Sequence, residues 1–165
     1  MLKIVHTSDW HFGKRLKAES LHEAHQLFTD WLIDDVCKTQ KPDLLVISGD
    51  IFDRAIPTTE SIELFEDTLS RLRSLEIRVL VTAGNHDSRV RLGANTRFME
   101  NNGLHFRTKI NQIIDPVIIS DDEFDLYAYG IPYLEPDVDI GESEDHFSGD
   151  PTQENVMIQA MGRVR

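Results

Sequence analysis

Cysteine is almost absent from this 165-residue chain, where Cys37 stands alone, and there are only six prolines and nine glycines. A single cysteine excludes an internal disulfide framework and fits a reducing compartment. No run approaches the roughly 18 apolar residues of a membrane span. Residues 1–6 turn polar too early for a secretory signal, so a soluble cytoplasmic domain is expected, with no membrane partner. Basic residues are scarce too, 17 Lys and Arg against 29 Asp and Glu, for a net charge of -12. That deficit would argue against nucleic acid only if it were uniform. It is not. Residues 1–110 carry 15 basic and 16 acidic side chains, whereas residues 111–165 carry 2 and 13. Residues 71–110 hold eight basic against three acidic, so a DNA partner stays open.

Three short β-branched runs, residues 2–6, 44–48 and 79–83, have the character of buried strands. Between the first two, residues 19–38 place Leu21, Ala24, Leu27, Phe28, Trp31, Leu32 and Val36 at helical spacing. Between the second and third, residues 58–74 place Ile62, Phe65, Leu69 and Leu72 on one face, with Thr58 or Thr59 as N-cap after Pro57. The alternation predicts an α/β fold with a βαβαβ core, hence a parallel sheet flanked by helices. A helix is predicted over 90–101, ended by Asn102-Gly103. Short strands follow at 104–107, 113–114, 117–119 and 126–129, the last two as a hairpin. Residues 132–150 read as an acidic loop, and Asp150-Pro151 as the start of a last helix.

Each of the three strands runs directly into polar, metal-competent residues. These are Asp9-Trp10-His11, Gly49-Asp50-Ile51-Phe52-Asp53 and Gly84-Asn85-His86-Asp87. In a parallel sheet such endings share one edge, where ligands bind. Two carboxylates, an imidazole and an amide suit Mn²⁺, Fe²⁺ or Zn²⁺ better than Ca²⁺. Paired metals of this kind share a carboxylate and clamp a phosphate during in-line displacement. Asp9 and His11 are expected at one metal, Asn85 at the other, with Asp50 bridging. His86 is expected beside the phosphate as the catalytic proton donor or charge stabiliser. Asp53 would support a ligand histidine or cap the following turn. Trp10 and Cys37 read as core, His6 as structural, and His22 and His25 as surface residues.

These three blocks resemble the opening signatures of the calcineurin-like metallophosphoesterase superfamily. Residues 6–14, 23–32 and 85–88, with Ile131-Pro132-Tyr133-Leu134, are similar to its bacterial SbcD-type nuclease subunits. The resemblance implies a Mn²⁺-dependent DNA phosphodiesterase with two metal ions, acting on double-stranded ends, single strands and hairpins in repair and recombination. It also implies an SbcC-type ABC ATPase partner and a homodimer formed through residues 58–74 and 89–101. Lys14, Arg15, Lys17, Arg89 and Arg91 flank two motifs and are candidates for DNA phosphates. The family completes its site with a later Gly-His and a Gly-His-x-His, and neither occurs here. Neither His105 nor His146 is expected to be a ligand. Residues 1–165 are therefore expected to form the N-terminal part of a longer nuclease domain, incomplete at its C-terminus, that binds metal poorly and is nearly inactive alone. A phosphatase or phosphodiesterase for another phosphate, or a scaffold without metals, are the alternatives.

Overall fold

A computed structural model describes residues 1–94, 96–139 and 150–164. Strand β1 (Ile4–Ser8) leads into a small hairpin of β2 (Arg15–Leu16) and β3 (Glu19–Ser20). Helix α1 (His22–Trp31) continues as a π-helical stretch, Leu32–Cys37, and a short α2 (Lys38–Gln40). Then come β4 (Leu44–Ser48), α3 (Thr59–Ser74), β5 (Arg78–Thr82), α4 (Arg89–Leu92), α5 (Thr96–Glu100) and β6 (Leu104–Arg107). A 3₁₀ turn over Ile110–Gln112 precedes the hairpin of β7 (Val117–Ser120) and β8 (Asp125–Ala128). Helices α6 (Pro136–Asp139) and α7 (Gln153–Arg163) follow.

The four strands β1, β4, β5 and β6 form one parallel sheet in that order. This is the α/β architecture the alternation predicts, with 104–107 joining as a fourth strand. Alternation along the strands divides the sheet's faces. Leu45, Ile47, Val79 and Val81 pack with Leu32, Ile33, Phe65 and Leu69 from the helical layer. Leu44 and Leu80 face the other way and pack on Val117 and Ile119 of the antiparallel hairpin. A third cluster joins Ile110, Ile113 and Leu134 to Val156 and Ala160 of α7.

Local chemistry accounts for several element ends. Thr58 caps α3 by accepting the Ser61 N–H through its side chain. At the other end Ile77 N–H reaches Leu72 O (3.2 Å) and Glu76 N–H reaches Arg73 O (2.9 Å). That is a Schellman closure with Glu76 in the left-handed conformation, φ 60°.

Four sequence expectations need correction. The helix predicted over 90–101 is two short helices; α4 ends at Gly93, whose N–H still reaches Arg89 O (3.0 Å) and which lies too close to Thr108 Oγ1 to carry a side chain. Residues 113–114 form no strand; Ile113 is buried beneath α7. The last helix is capped by Thr152, whose hydroxyl accepts Asn155 N–H, rather than by Asp150. Finally, α1 does not bury the predicted stripe. Leu27 and Trp31 are 72% and 53% exposed, while Thr29, Leu32 and Ile33 are buried. Of the acidic loop, 136–139 is helical, and residues 140–149, His146 included, lie outside the described residues.

Candidate metal centre

The strand register brings the three motifs together. Ser8 is level with Ser48, and Ser48 with Thr82, so β1, β4 and β5 end side by side. The loops beyond are stitched by backbone bonds. Asp9 N–H donates to Gly49 O (3.2 Å), His11 N–H to Asp50 O (2.8 Å), and Gly49 N–H to Thr82 O (3.1 Å). Within the first loop, alternate residues do opposite work. Trp10 and Phe12 are buried, their rings 5.2 Å apart, and Trp10 packs edge-on to Phe28 and Phe65. The indole N–H is satisfied by Thr7 Oγ1 at 3.0 Å. Trp10 is thus core, as its apolar bulk predicts, and it anchors the loop that carries Asp9 and His11 to the sheet edge.

Asp9, His11 and Asp50 all have left-handed backbones, with φ of 56°, 48° and 46°. Such conformations cost on the order of 1–3 kcal/mol each outside glycine and persist where surrounding structure enforces them. The enforcement is visible at Gly84. A Cβ there would lie 2.1 Å from both Asp50 N and Asp50 Oδ1, so only glycine admits this approach of the second and third loops. Asp50 Oδ1 accepts His86 N–H at 2.9 Å. In return, the buried Asp87 carboxylate accepts N–H bonds from Ile51 (3.1 Å), Phe52 (2.9 Å) and its own loop's Gly84 (2.9 Å). Each loop's acid therefore caps the other loop's backbone.

The side chains converge accordingly. His11 Nε2 lies 3.6 Å from Asp50 Oδ2 and 3.9 Å from Asp9 Oδ1, and its Nδ1 is 3.5 Å from Asp53 Oδ1. That last distance is too long for a hydrogen bond, and the buried Nδ1 makes none. Lys14 Nζ is 3.5 Å from the same Asp53 oxygen. His86 Nδ1 is 2.8 Å from the backbone carbonyl of Asp53. A carbonyl only accepts, so Nδ1 donates here, and Nε2 is the ring nitrogen left facing the site. The rings of His11 and His86 stand perpendicular, 4.9 Å apart. Donor atoms of His11, Asp50 and His86 all fall within 4.8 Å of one another. His86, expected at the phosphate, thus stands as close to the ligand cluster as His11 does. Asp9, Asp50 and Asn85 also line one open cavity of 340 Å³, whose far wall is Ile131, Tyr133 and Met157. The donor set, with His11 Nε2 facing the Asp9 and Asp50 carboxylates, fits a divalent cation. Asp50 Oδ2 is the oxygen left for it once Oδ1 has taken the His86 N–H.

The flanking bases divide. Lys14, Arg15 and Lys17 are exposed on and beside the β2–β3 hairpin, and the Arg15 guanidinium donates to Ala18 O. Arg91 reaches Ala55 O at 3.4 Å. Arg89, expected at a phosphate, instead makes a two-pronged pair with Asp139 (2.7 and 2.8 Å), a residue with no exposed surface, and donates to Tyr133 O. Its guanidinium ties α4 to α6.

Of the remaining histidines, His25 is not a surface residue. It is half-buried against Phe12, and burial lowers its pKa. His105 lies in β6 opposite Leu80, and His6 Nε2 pairs with Ser48 Oγ at 2.8 Å. Cys37 is buried, which pushes its thiol pKa up. The roles of Asp87 and of the Tyr133–Met157 wall are not legible in the sequence. Asp87 bonds only to backbone amides, which have no side-chain signature, and the wall is assembled from distant segments.

The parallel sheet and the donor set gathered at its edge have the layout of a metallophosphoesterase core. Residues 2–153 match the calcineurin-like phosphoesterase family, and the chain belongs to it. Among its relatives is the SbcD subunit of the nuclease SbcCD from Staphylococcus epidermidis, 40% identical over 124 residues, which are 74% of this chain and 33% of the relative. The corresponding SbcCD nuclease subunit from Staphylococcus saprophyticus is 35% identical over 133 residues, 80% of this chain and 34% of the relative. The chain spans about a third of the length of these curated relatives. Among the described residues, no helix is long and apolar enough to cross a membrane.

Proposed function

We propose that this chain is the ligand-bearing first portion of an SbcD-type nuclease domain, cleaving DNA phosphodiester bonds with two divalent ions, Mn²⁺ by preference. The convergence of Asp9, His11, Asp50, Asn85 and His86 on one sheet edge carries this reading. Asp9 and His11 would hold one ion, Asn85 the other, and Asp50 both. Bound there, the ions would supply Lewis-acid activation of a water and of the scissile phosphate.

The chain's own residues do the rest. Asp53, 3.5 Å from His11 Nδ1 without a hydrogen bond to it, sets the negative charge behind that imidazole rather than its orientation. The Asp53 carbonyl fixes His86 with Nε2 free, so His86 in its protonated form donates from that atom to the departing oxygen. Lys14, Arg15 and Lys17, on the hairpin next to the first loop, hold DNA phosphates. Arg91 is placed to do so less directly, and Arg89 is committed to Asp139. The same reading brings an SbcC-type ABC ATPase partner, a heterotetramer built on a homodimer, and a cytoplasmic role in DNA repair, recombination and replication. Exposed Ile56, Val90 and Phe98, on and near α3 to α5, support the dimer face.

The test compares this chain with the Staphylococcus epidermidis relative on blunt and hairpin DNA, phosphopeptides and cyclic nucleotides, with Mn²⁺. The relative is expected to cut DNA and this chain to cut it far more slowly. Cleavage at the relative's rate, lost in Asp50→Ala, would overturn the half-site reading. Turnover of the small substrates alone would overturn the DNA assignment.

A further inference from the structure

We infer that Asp87 is the positioning residue of the metal centre, holding Asp50, Asn85 and His86 in register without touching metal or substrate; this rests on the metal reading above. Its carboxylate is buried and accepts three backbone N–H bonds, two from Ile51 and Phe52 and one from Gly84. The first two follow Asp50 immediately and fix the chain where its φ is 46°. The third immediately precedes Asn85. One side chain thus clamps the backbone on the far side of the bridging ligand and on the near side of the next ligand. The reverse bond, His86 N–H to Asp50 Oδ1, closes the clasp and directs Oδ2 toward His11 Nε2.

Ionised carboxylate is the one side-chain group of this size that only accepts. An asparagine could accept through one oxygen, but its NH₂ would then face a backbone N–H, as donor against donor. Asp87→Asn therefore opens one side of the clasp at nearly constant volume. Groups that orient metal ligands from behind typically contribute 10- to 100-fold in metal affinity, and a loss of at least about tenfold is expected here.

The experiment is an NMR titration of the 165-residue chain with Mn²⁺, following broadening of the Asp9, His11, Asp50 and Asn85 amides at low temperature. Asp87→Asn should lose affinity about tenfold or more, and its Gly84, Ile51 and Phe52 amide protons should move upfield. Leu44→Ala, a core change at the opening end of β4 and packed on the β7–β8 hairpin, should lower Tm yet keep Mn²⁺ affinity within twofold, which separates positioning from general stability. Mn²⁺ affinity in Asp87→Asn equal to that of Leu44→Ala would overturn the inference. Should Asp87→Asn not fold, hydrogen exchange of the unaltered chain decides. Saturating Zn²⁺ must slow exchange at Ile51, Phe52 and Gly84, because coupling between clasp and metal is reciprocal, and unchanged exchange refutes it. An unaltered chain with no Mn²⁺ broadening at all would instead bring down the metal reading, and this inference with it.

Discussion

Replacing Gly84 with alanine tests the closeness of the two loops most directly. The added methyl would lie 2.1 Å from Asp50 N and Asp50 Oδ1 and 2.8 Å from Asp50 Cγ. An ordinary carbon contact needs well over 3 Å, so the loops must part by about an ångström or more. Since a contacting atom is backbone, no rotamer change relieves the clash. Overpacking of this kind costs about 1–3 kcal/mol. The separation also stretches His86 N–H to Asp50 Oδ1 and Gly84 N–H to Asp87 Oδ2, both 2.9 Å. Bonds to a charged acceptor contribute about 1.5–3 kcal/mol each. Taking the clash with one bond broken gives roughly 2.5–6 kcal/mol. For a domain of this size each kcal/mol moves Tm by about 2–4 °C, so a fall of roughly 5–24 °C is expected. Differential scanning calorimetry measures it, with the calorimetric to van't Hoff ratio checking two-state behaviour. Mn²⁺ binding, followed by NMR below the transition, should weaken in step. A Gly84→Ala chain within about 2 °C of the unaltered Tm that binds Mn²⁺ equally well would refute the claim that this approach builds the site.

Glu76→Gly removes a left-handed glutamate from the α3 Schellman closure and should stabilise by about 0.5–1 kcal/mol, read as a higher urea midpoint at unchanged slope. Arg89→Ala strips the buried Asp139 of its two-pronged partner and should cost about 3–5 kcal/mol in urea unfolding; a loss below about 1 kcal/mol would mean the pair supports little. His105 has its pKa lowered by burial and by Arg107. Its neutral form is favoured on folding, so this contribution is full above the unfolded value near 6.5 and declines as pH falls from there through the lower folded value. His105→Gln should therefore lessen the drop in Tm between about pH 7.5 and pH 5.5. Changing Lys14, Arg15 and Lys17 together to Ala should make the log–log salt dependence of DNA binding shallower by about 1 for each phosphate no longer neutralised.

What the sequence makes legible depends on how local the signal is. Strand β4 and helix α3 are written in their own residues, a buried β-branched run in one and a Thr58 cap with a repeating apolar face in the other. Helix α1 misleads because its apolar residues cover more than the face that packs inward: Leu27 and Trp31 stay outside, while the π-helical stretch that follows buries Leu32, Ile33 and Cys37. The break at Gly93 interrupts an apolar periodicity over 90–101 that runs straight through it, and the close packing of Gly93 on Thr108, fifteen residues on, has no local signature. At the site, Asp9, His11, Asp50 and Asn85 are legible because metal-competent side chains follow strands directly. The parallel register then does the assembling. Asp87 carries the same type of side chain in the same motif, yet its partners are amides of Ile51 and Phe52, which any residues would provide.

This division has a physical consequence for how such a centre is built. Three of the four expected metal ligands, Asp9, His11 and Asp50, occupy backbone conformations that no short peptide of the same sequence would favour. The holding groups are on other loops: Gly49 O for Asp9, Asp50 O for His11, and Asp87 for the backbone that follows Asp50. The anchors beneath are Trp10 and Phe12, which belong to the core shared with Phe65 of α3. Ligand geometry is therefore a property of the folded sheet edge and not of any single motif. A substitution in one loop must be felt by ligands on another. The same coupling lets a sheet of four short strands place donors from residues some 75 positions apart within 4.8 Å of one another.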